Sequence, residues 1–324
     1  MELKPILLFG MPRSGTTWLG KVFDSHPQTL YRHEPDSGGC LDAALPLFPD
    51  AAQAARYQAA AERFVGALPL DRSLRVSGKL PLFAKAYRGP LAQRAHQWMV
   101  LGGKVAARWL PLREVPPLIA SDYAGPIHVV WKSIESLGRL GVFARALPAA
   151  RLVHIVRHPC GYVASVFGGE ARGLLPGSVP ASEDYGILDL LLATEQGRRR
   201  GLTLEFFRGL APEERLAWRW LLYNEKALED IAASTNASTV RYEDLCRDPS
   251  GGYRALFGFA GLSWDAQTEA FVSHSVSSEQ AAYFSVFKDP ERAANGWRSK
   301  LTADQQRRIL RVVAGTPAGA LYDE

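Results

Sequence analysis

Ile6-Leu7-Leu8-Phe9-Gly10-Met11-Pro12-Arg13-Ser14-Gly15-Thr16-Thr17-Trp18 lies near the start of the 324-residue chain and decides its fold class. Four apolar residues stopped by a glycine predict a short buried strand. Thr16 to Phe23 is helix-competent and stops at His26-Pro27. Strand, glycine loop and helix in that order make a corner whose backbone N–H groups converge on a phosphate. Working outward, short apolar runs recur at His128 to Trp131, Leu152 to Val156 and Ser238 to Val240, with helical segments between them. Strands alternating with helices predict an α/β fold, a parallel sheet with crossover helices. The Leu152 run ends in Arg157-His158-Pro159. Proline suits the first helical position, so a second strand-to-helix corner is expected there, with its helix over Pro159 to Phe167.

Two stretches between these pieces are too long to be connections and too rich in Ala, Leu, Trp and Arg to be loops. They are Ala51 to Leu68 with Ala92 to Trp109, and Asp184 to Ile231. They predict helical insertions, at about 36–125 and 168–235, that cap the carboxyl edge of the sheet and shape an acceptor pocket within one domain spanning 1–324. Trp218 and Trp220, with Leu216, Leu221 and Tyr223, read as helix core rather than as a ligand box.

Composition removes several classes. Apolar residues at 47% and charged residues at 22% exclude disordered, collagen-like and coiled-coil chains. No run approaches the roughly 18 consecutive apolar residues of a spanning helix, so no integral membrane segment is expected. The opening apolar run reads as a strand rather than a secretory signal. Thirty-eight Lys and Arg against 33 Asp and Glu leave a net charge of +5, which favours an anionic ligand. The longest basic run, Arg198-Arg199-Arg200, has no interleaved aromatics and reads as a solvated helix end, not a nucleic-acid patch. Cys40, Cys160 and Cys246 stand far apart with no CxxC pair. A reducing, cytoplasmic location without structural zinc is the expectation.

Gly10 and Gly15 have the spacing of a nucleoside-triphosphate P-loop, but Thr16 stands where that motif places the lysine that reaches terminal phosphates. Backbone amides at the helix start and the hydroxyls of Thr16 and Thr17 remain as donors, which suits a shorter phosphate chain.

At these residues the sequence resembles the sulfotransferases that use 3′-phosphoadenosine 5′-phosphosulfate (PAPS). Their 5′-phosphosulfate loop reads Pro-Lys/Arg-Ser-Gly-Thr-Thr-Trp, and here it stands as Pro12, Arg13, Ser14, Gly15, Thr16, Thr17 and Trp18. The family's second hallmark is a strand-terminal Arg followed eight residues later by Ser, which together hold the 3′-phosphate; Arg157 and Ser165 match it. Taken alone, Arg157 reads equally well as a surface ion pair. Arg241-Tyr242-Glu243-Asp244 looks like the family's Tyr-Glu-Asp segment, whose tyrosine lies near the adenine, and the resemblance makes Trp18 the ring that stacks on that base. Arg292 to Leu301, containing Trp297, Arg298 and Lys300, is similar to the late basic segment that closes over the 3′-phosphate. Its spacing departs from the cytosolic pattern, so the choice among Arg292, Arg298 and Lys300 stays open.

The cytosolic phenol and steroid enzymes carry Lys-Thr-His after a mid-chain strand, with the histidine as base. This chain has Trp131-Lys132-Ser133-Ile134, which keeps the lysine and lacks the histidine. Carbohydrate-type and many bacterial relatives instead place a glutamate after the loop's helix, and Tyr31-Arg32-His33-Glu34-Pro35 looks like that segment. The resemblance therefore implies transfer of a sulfuryl group from PAPS to a small-molecule, lipid or sugar hydroxyl, releasing 3′,5′-diphosphoadenosine. Glu34 is the expected base, with His33 as its competitor, and Arg13 and Lys132 stabilise the leaving group. No metal is required. The apolar and aromatic insertions lean toward an amphipathic acceptor over a polysaccharide. A nucleotide-dependent kinase, which the absent lysine opposes, and a non-catalytic 3′-phosphonucleotide-binding module are the competing readings. Oligomeric state is not legible in the sequence.

Overall fold

Strand β1 (Ile6–Phe9) is fully buried and has a parallel neighbour on each side. The structure, a computed structural model, describes residues 4–106, 114–174, 179–277 and 289–323. Its sheet has five strands in the order β2-β3-β1-β4-β5, all parallel: β2 (Thr29–His33), β3 (His128–Ser133), β4 (Arg151–Val156) and β5 (Ala237–Arg241) flank β1. From β1 the chain runs to β2 and back to β3 on one side, then crosses to β4 and β5 on the other. The carboxyl end of β1 is therefore a topological switch point, where open α/β sheets bind ligands.

Period-two alternation divides the sheet into two faces. Leu7, Phe9, Leu30, Val129, Trp131 and Leu152 share one apolar cluster, while Ile6, Leu8, Tyr31, Val130, Val153 and Ile155 share the other. Helices α1 (Thr16–Ser25), α11 (Tyr242–Arg247), α12 (Pro249–Ala260) and α13 (Ala266–Ser277) cover the second face. The first face is covered by α2 (Ala54–Ala67), α5 (Leu140–Ala146), α6 (Pro159–Glu170), α10 (Pro212–Ile231) and α16 (Ala303–Val313).

The four anticipated strands are present, and β2, read in the sequence only as a base-bearing segment, is a fifth. The insertions do more than cap. Helix α2 from the first and α10 from the second pack into the main core beside α5 and α6. Helices α3 (Leu74–Ser77) and α4 (Pro90–Ala106) lie toward β2; the anticipated end of α4 at Trp109 lies outside the described residues. Asp184 to Ile231 is not one helical stretch. It breaks into α7 (Tyr185–Leu192), α8 (Glu195–Arg199), α9 (Leu204–Arg208) and α10 because Thr194 and Thr203 accept from Gly197 N and Phe206 N, and Pro212 starts α10. Side-chain capping satisfies amides that a continuous helix would have satisfied internally. Trp220 is fully buried and Trp218 packs edge-on against Phe206 and Phe207, so both are helix core. Arg199 and Arg200 pair with Glu229 and Glu225 on α10. The remaining helices are α14 (Pro290–Asn295) and α15 (Trp297–Lys300). Among the described residues no helix is long and apolar enough to cross a membrane, and all three cysteines are free.

Two glycines set the loop. A Cβ on Gly10 would lie 2.5 Å from the Ile155 carbonyl oxygen, so the chain can cross β4 this closely only without a side chain. Gly15 caps α1 at φ +91°, and its Cβ would meet Tyr242 Cδ2 at 2.3 Å. Gly15→Ala should therefore combine left-handed strain, of order 1–3 kcal/mol, with a clash that Tyr242→Ala removes. A double-mutant cycle by chemical unfolding is expected to show strong non-additivity. Additive effects, within about 0.5 kcal/mol, would mean that Tyr242 does not brace the loop.

Candidate active site

The loop between β1 and α1 presents donors because the helix has only begun. The first amide to find a backbone acceptor within α1 is that of Leu19, which donates to Gly15 O at 3.1 Å. Amides ahead of it in a helix's first turn have no intrahelical acceptor and carry the positive end of its dipole. Ser14 and Thr16 are buried and Thr17 is half-exposed. Arg13 holds φ at +73°, an uncommon conformation for a residue with a side chain, and its Nε donates to Ser165 Oγ at 3.2 Å. The loop of β1 is thus tied directly to α6, which follows β4.

Arg157, just past β4, has both terminal nitrogens on main-chain carbonyls. Its Nη1 donates to Arg13 O at 3.0 Å, its Nη2 donates to Ala293 O at 2.6 Å, and its guanidinium lies 4.9 Å from the centroid of the Tyr242 ring. Its Nε is buried with no hydrogen-bond partner among the described residues. Trp18 and Tyr242 are both packed into the fold. Trp18 is 8% exposed, packed edge-on to Tyr253 and Tyr242 with its indole N–H donating to Ser275 Oγ at 3.0 Å. That leaves little ring face for a base to stack on. Tyr242, wedged between Gly15 and Arg157, braces the loop.

The late basic segment divides in two. Lys300 shares a positive field with Arg157, Arg292 and Arg172; burial and then these three cations lower its ammonium pKa. Arg172 carried no signal in the sequence. Arg298 instead lies over the Trp297 ring at 4.7 Å and lines a cavity of about 480 Å³ with His158, Glu243, Arg241 and Tyr322.

On the other side of β1, the register sets His33 beside Lys132 on adjacent strands. Both continue the face of Tyr31 and Val130. Lys132 is 1% exposed and its ammonium is ion-paired to Glu34 Oε1. Burial lowers the Lys132 pKa and Glu34 opposes that shift. Glu34 follows the last residue of β2 with φ at +50°. Its N–H donates to Lys132 O at 2.8 Å and its carbonyl accepts from Arg75 Nη1 at 2.8 Å. Three non-glycine residues among those described have left-handed backbones, and Arg13 and Glu34 are two of them. His33 accepts from or donates to the Tyr31 hydroxyl through Nδ1 at 2.9 Å, with Nε2 3.9 Å from Glu34 Oε1. Burial, then the charges of Lys132, Lys79, Lys21 and Arg75, pull its imidazole down to about 2.

A buried network that sequence reasoning missed fixes this corner. Asp36 accepts from the hydroxyls of Ser133 and Ser136 and from Trp131 Nε1 at 3.3 Å, and Arg139 Nη1 reaches Ser136 Oγ at 3.2 Å. Asp36, Ser133, Ser136 and Arg139 are all nearly inaccessible. The hub locks the turn after Glu34 onto the end of β3. Its signal was an acid two residues past Glu34 and serines flanking Glu135, too common a pattern to single out.

Residues 5–174, just over half of the chain, match the family model described as "Sulfotransferase family". The human protein carbohydrate sulfotransferase 6 is 25% identical over 96% of this chain and 78% of its own length. Human carbohydrate sulfotransferase 5 is 23% identical over 96% of this chain and 75% of its own. Among solved structures, the sulfotransferase domain from the curacin biosynthetic pathway superposes with a TM-score of 0.44 at 14% identity, covering 98% of this chain and 99% of that one. The glycine loop at the switch point and the basic strand end beside it lie inside the matched residues, and the chain belongs to the sulfotransferase family, as a PAPS-dependent enzyme.

Proposed function

We propose that the protein transfers the sulfuryl group of PAPS in line to an acceptor hydroxyl, with the donor on the β4 side of β1 and the acceptor on the β3 side. The observation that carries the reading is the convergence, around the end of β1, of a cation group at Arg157 and a buried Lys132–Glu34 pair. Two features support the fit of a phosphorylated nucleotide: the open amides at the start of α1, and the buried Arg157 Nε with no partner among the described residues. Loop amides with Ser14, Thr16 and Thr17 would hold the 5′-phosphosulfate, and Arg157, Arg172, Arg292 and Lys300 the 3′-phosphate, where charge-assisted hydrogen bonds are strongest.

In the transfer, the bond between sulfur and the bridging phosphate oxygen breaks and one forms between sulfur and the acceptor oxygen. The acceptor proton passes to Glu34. Charge that builds on the bridging oxygen is met by Arg13 and Lys132, fixed before reaction and so free of reorganisation cost. Lys132 has a second task in this reading, because its ammonium holds the Glu34 carboxylate in place. His33 is the weaker base, since an imidazole pulled down to about 2 has little proton affinity at neutral pH.

The donor half is tested by melting. 3′,5′-diphosphoadenosine should stabilise the fold by about 2.7 kcal/mol at 100 times its Kd, and ATP with Mg²⁺ much less. A larger shift with Mg-ATP would turn the reading toward a kinase. Lys300→Ala should weaken the product nucleotide by about tenfold, roughly 1.4 kcal/mol, and Arg298→Ala by less; the reverse order would reassign the 3′-phosphate to the Arg298 cavity.

The base is tested by substitution. Glu34→Gln keeps an acceptor oxygen for Lys132 but strips the buried ammonium of its counter-charge, so some loss of stability is expected. Where the variant is folded and binds the product nucleotide, transfer to an alkyl or sugar hydroxyl should fall by roughly 10²–10⁴, while an acidic phenol keeps most of its rate. His33→Asn should do much less. It should also change the pH response of stability. Unfolded histidine binds a proton below about 6.5 and the folded His33 does not, so the native protein loses stability as pH falls through that value. His33→Asn should gain in urea midpoint relative to the parent at pH 5 and show no such gain at pH 8. Near-normal alcohol turnover by Glu34→Gln would move the base elsewhere.

A further inference from the structure

The acceptor side of β1 carries far more positive charge than one carboxylate base requires. Arg75 of α3 binds the Glu34 carbonyl. Just past α3, Gly78 packs against α4 so closely that a Cβ there would lie 3.2 Å from Val100 Cγ1. That contact sets Lys79 beside the last turn of α4, where Lys104 stands one turn beyond Val100. The Lys79 main chain is anchored from the core, its carbonyl accepting from Lys21 Nζ at 2.9 Å while that buried ammonium lies about 5 Å over the rings of Tyr31 and Phe83. The charge of Lys79 bears on His33, Lys132 and Lys104. Neither Lys79 nor Lys104 has a carboxylate partner among the described residues, and Glu34 is taken by Lys132. Lys79 is half-buried, and Lys104 and Arg75 are exposed, so the wall faces solvent at the mouth of the site.

A cluster of like charge without carboxylate partners beside a reacting group selects ligands of opposite sign and repels its own. We propose that the acceptor carries, next to the hydroxyl that is sulfated, an anionic group, either a carboxylate or an existing sulfate ester, which Lys79 and Lys104 hold. The inference rests on the sulfuryl-transfer reading of the same site. It narrows the lean toward an amphipathic acceptor drawn from the composition of the insertions, because the sequence did not show that Arg75 and Lys79 stand near Glu34 and His33, with Lys104 beside Lys79.

The test uses labelled PAPS and acceptors in matched pairs: octyl glucuronide against octyl glucoside, and 4-hydroxyphenylacetate against 4-ethylphenol, with octyl glucoside 6-sulfate as a third arm separating ester from carboxylate. The readout is the ratio of kcat/KM, anionic over neutral, within each pair. For the parent protein the ratio should be about tenfold or more at low salt and shrink at 0.5 M salt, where exposed charges are screened. Lys79→Gln and Lys104→Gln should each pull it toward one, and Lys79→Glu should take it below one. A melting shift with 3′,5′-diphosphoadenosine verifies that each variant is folded. A parent ratio at or below one in every pair, or a preference untouched by all three substitutions, overturns the inference. Donor binding with no transfer to any anionic member overturns it too while leaving the donor site standing. No shift with the nucleotide and no transfer to any acceptor would instead sink the sulfuryl-transfer reading beneath it.

Discussion

One guanidinium ties four parts of the chain together. Arg157 binds the carbonyl of Arg13 in the first loop and that of Ala293 in the last quarter of the chain, and it lies against Tyr242, which in turn fills the space beside Gly15. Its own carbonyl accepts from Trp220 Nε1 at 2.9 Å, adding the long helix α10 to the knot. Parallel sheets leave their carboxyl ends as a row of separate loops, and nothing in the sheet's hydrogen bonding holds those loops to one another. An arginine with its stem on β4 and its head among main-chain carbonyls supplies that connection. The same head keeps a net positive charge at the place where the row of loops opens.

The opposite flank of β1 is organised by a second buried charge. Lys132 sits on the central part of the sheet with almost no water contact, a position whose desolvation cost is offset only if a counter-charge and good geometry are supplied. Glu34 supplies the charge, and the geometry comes from main-chain bonds to Lys132 and Arg75 that hold Glu34 in a left-handed conformation. A glutamate in this backbone region is strained, and the strain is sustained by the Asp36 hub two residues on. The pair is therefore held in one geometry by its own chain, which is what the proposed transfer of a proton to Glu34 would require.

The sequence made legible whatever depends on local pattern. Apolar runs bounded by glycine, proline or charge located four strands, and the loop from Gly10 to Thr17 announced its chemistry through residue types that few other structures need. Strand β2 escaped because Thr29-Leu30-Tyr31-Arg32-His33 has neither a run of apolar residues nor strict alternation, and its burial comes from α1 and the first insertion. The breaks in Asp184 to Ile231 were visible as capping threonines and were outweighed by helix-forming composition. Glu34, Lys132 and Arg157 could be singled out from the sequence as candidates, but their partners could not. That Tyr242 and Trp18 would be packed into walls, that Arg298 would turn away from Lys300, and that Lys79 would stand near His33 all follow from long-range packing, which leaves no periodicity in the chain.

The two flanks of β1 share a consequence. Lys300 loses proton affinity to burial and to Arg157, Arg292 and Arg172, and Lys104 loses it to burial and to Lys79; on each side, groups of like sign are held close together. Such repulsion costs stability in the ligand-free protein. An anion entering either group relieves repulsion as well as forming new bonds, so its binding draws on strain already present in the empty site. In the reading proposed above, a donor with phosphates at both ends of its ribose would meet the first group and the loop amides together, and relief on the second side would fall to the acceptor, so that the order of charge along the strand ends would specify which molecule stands on which side of β1.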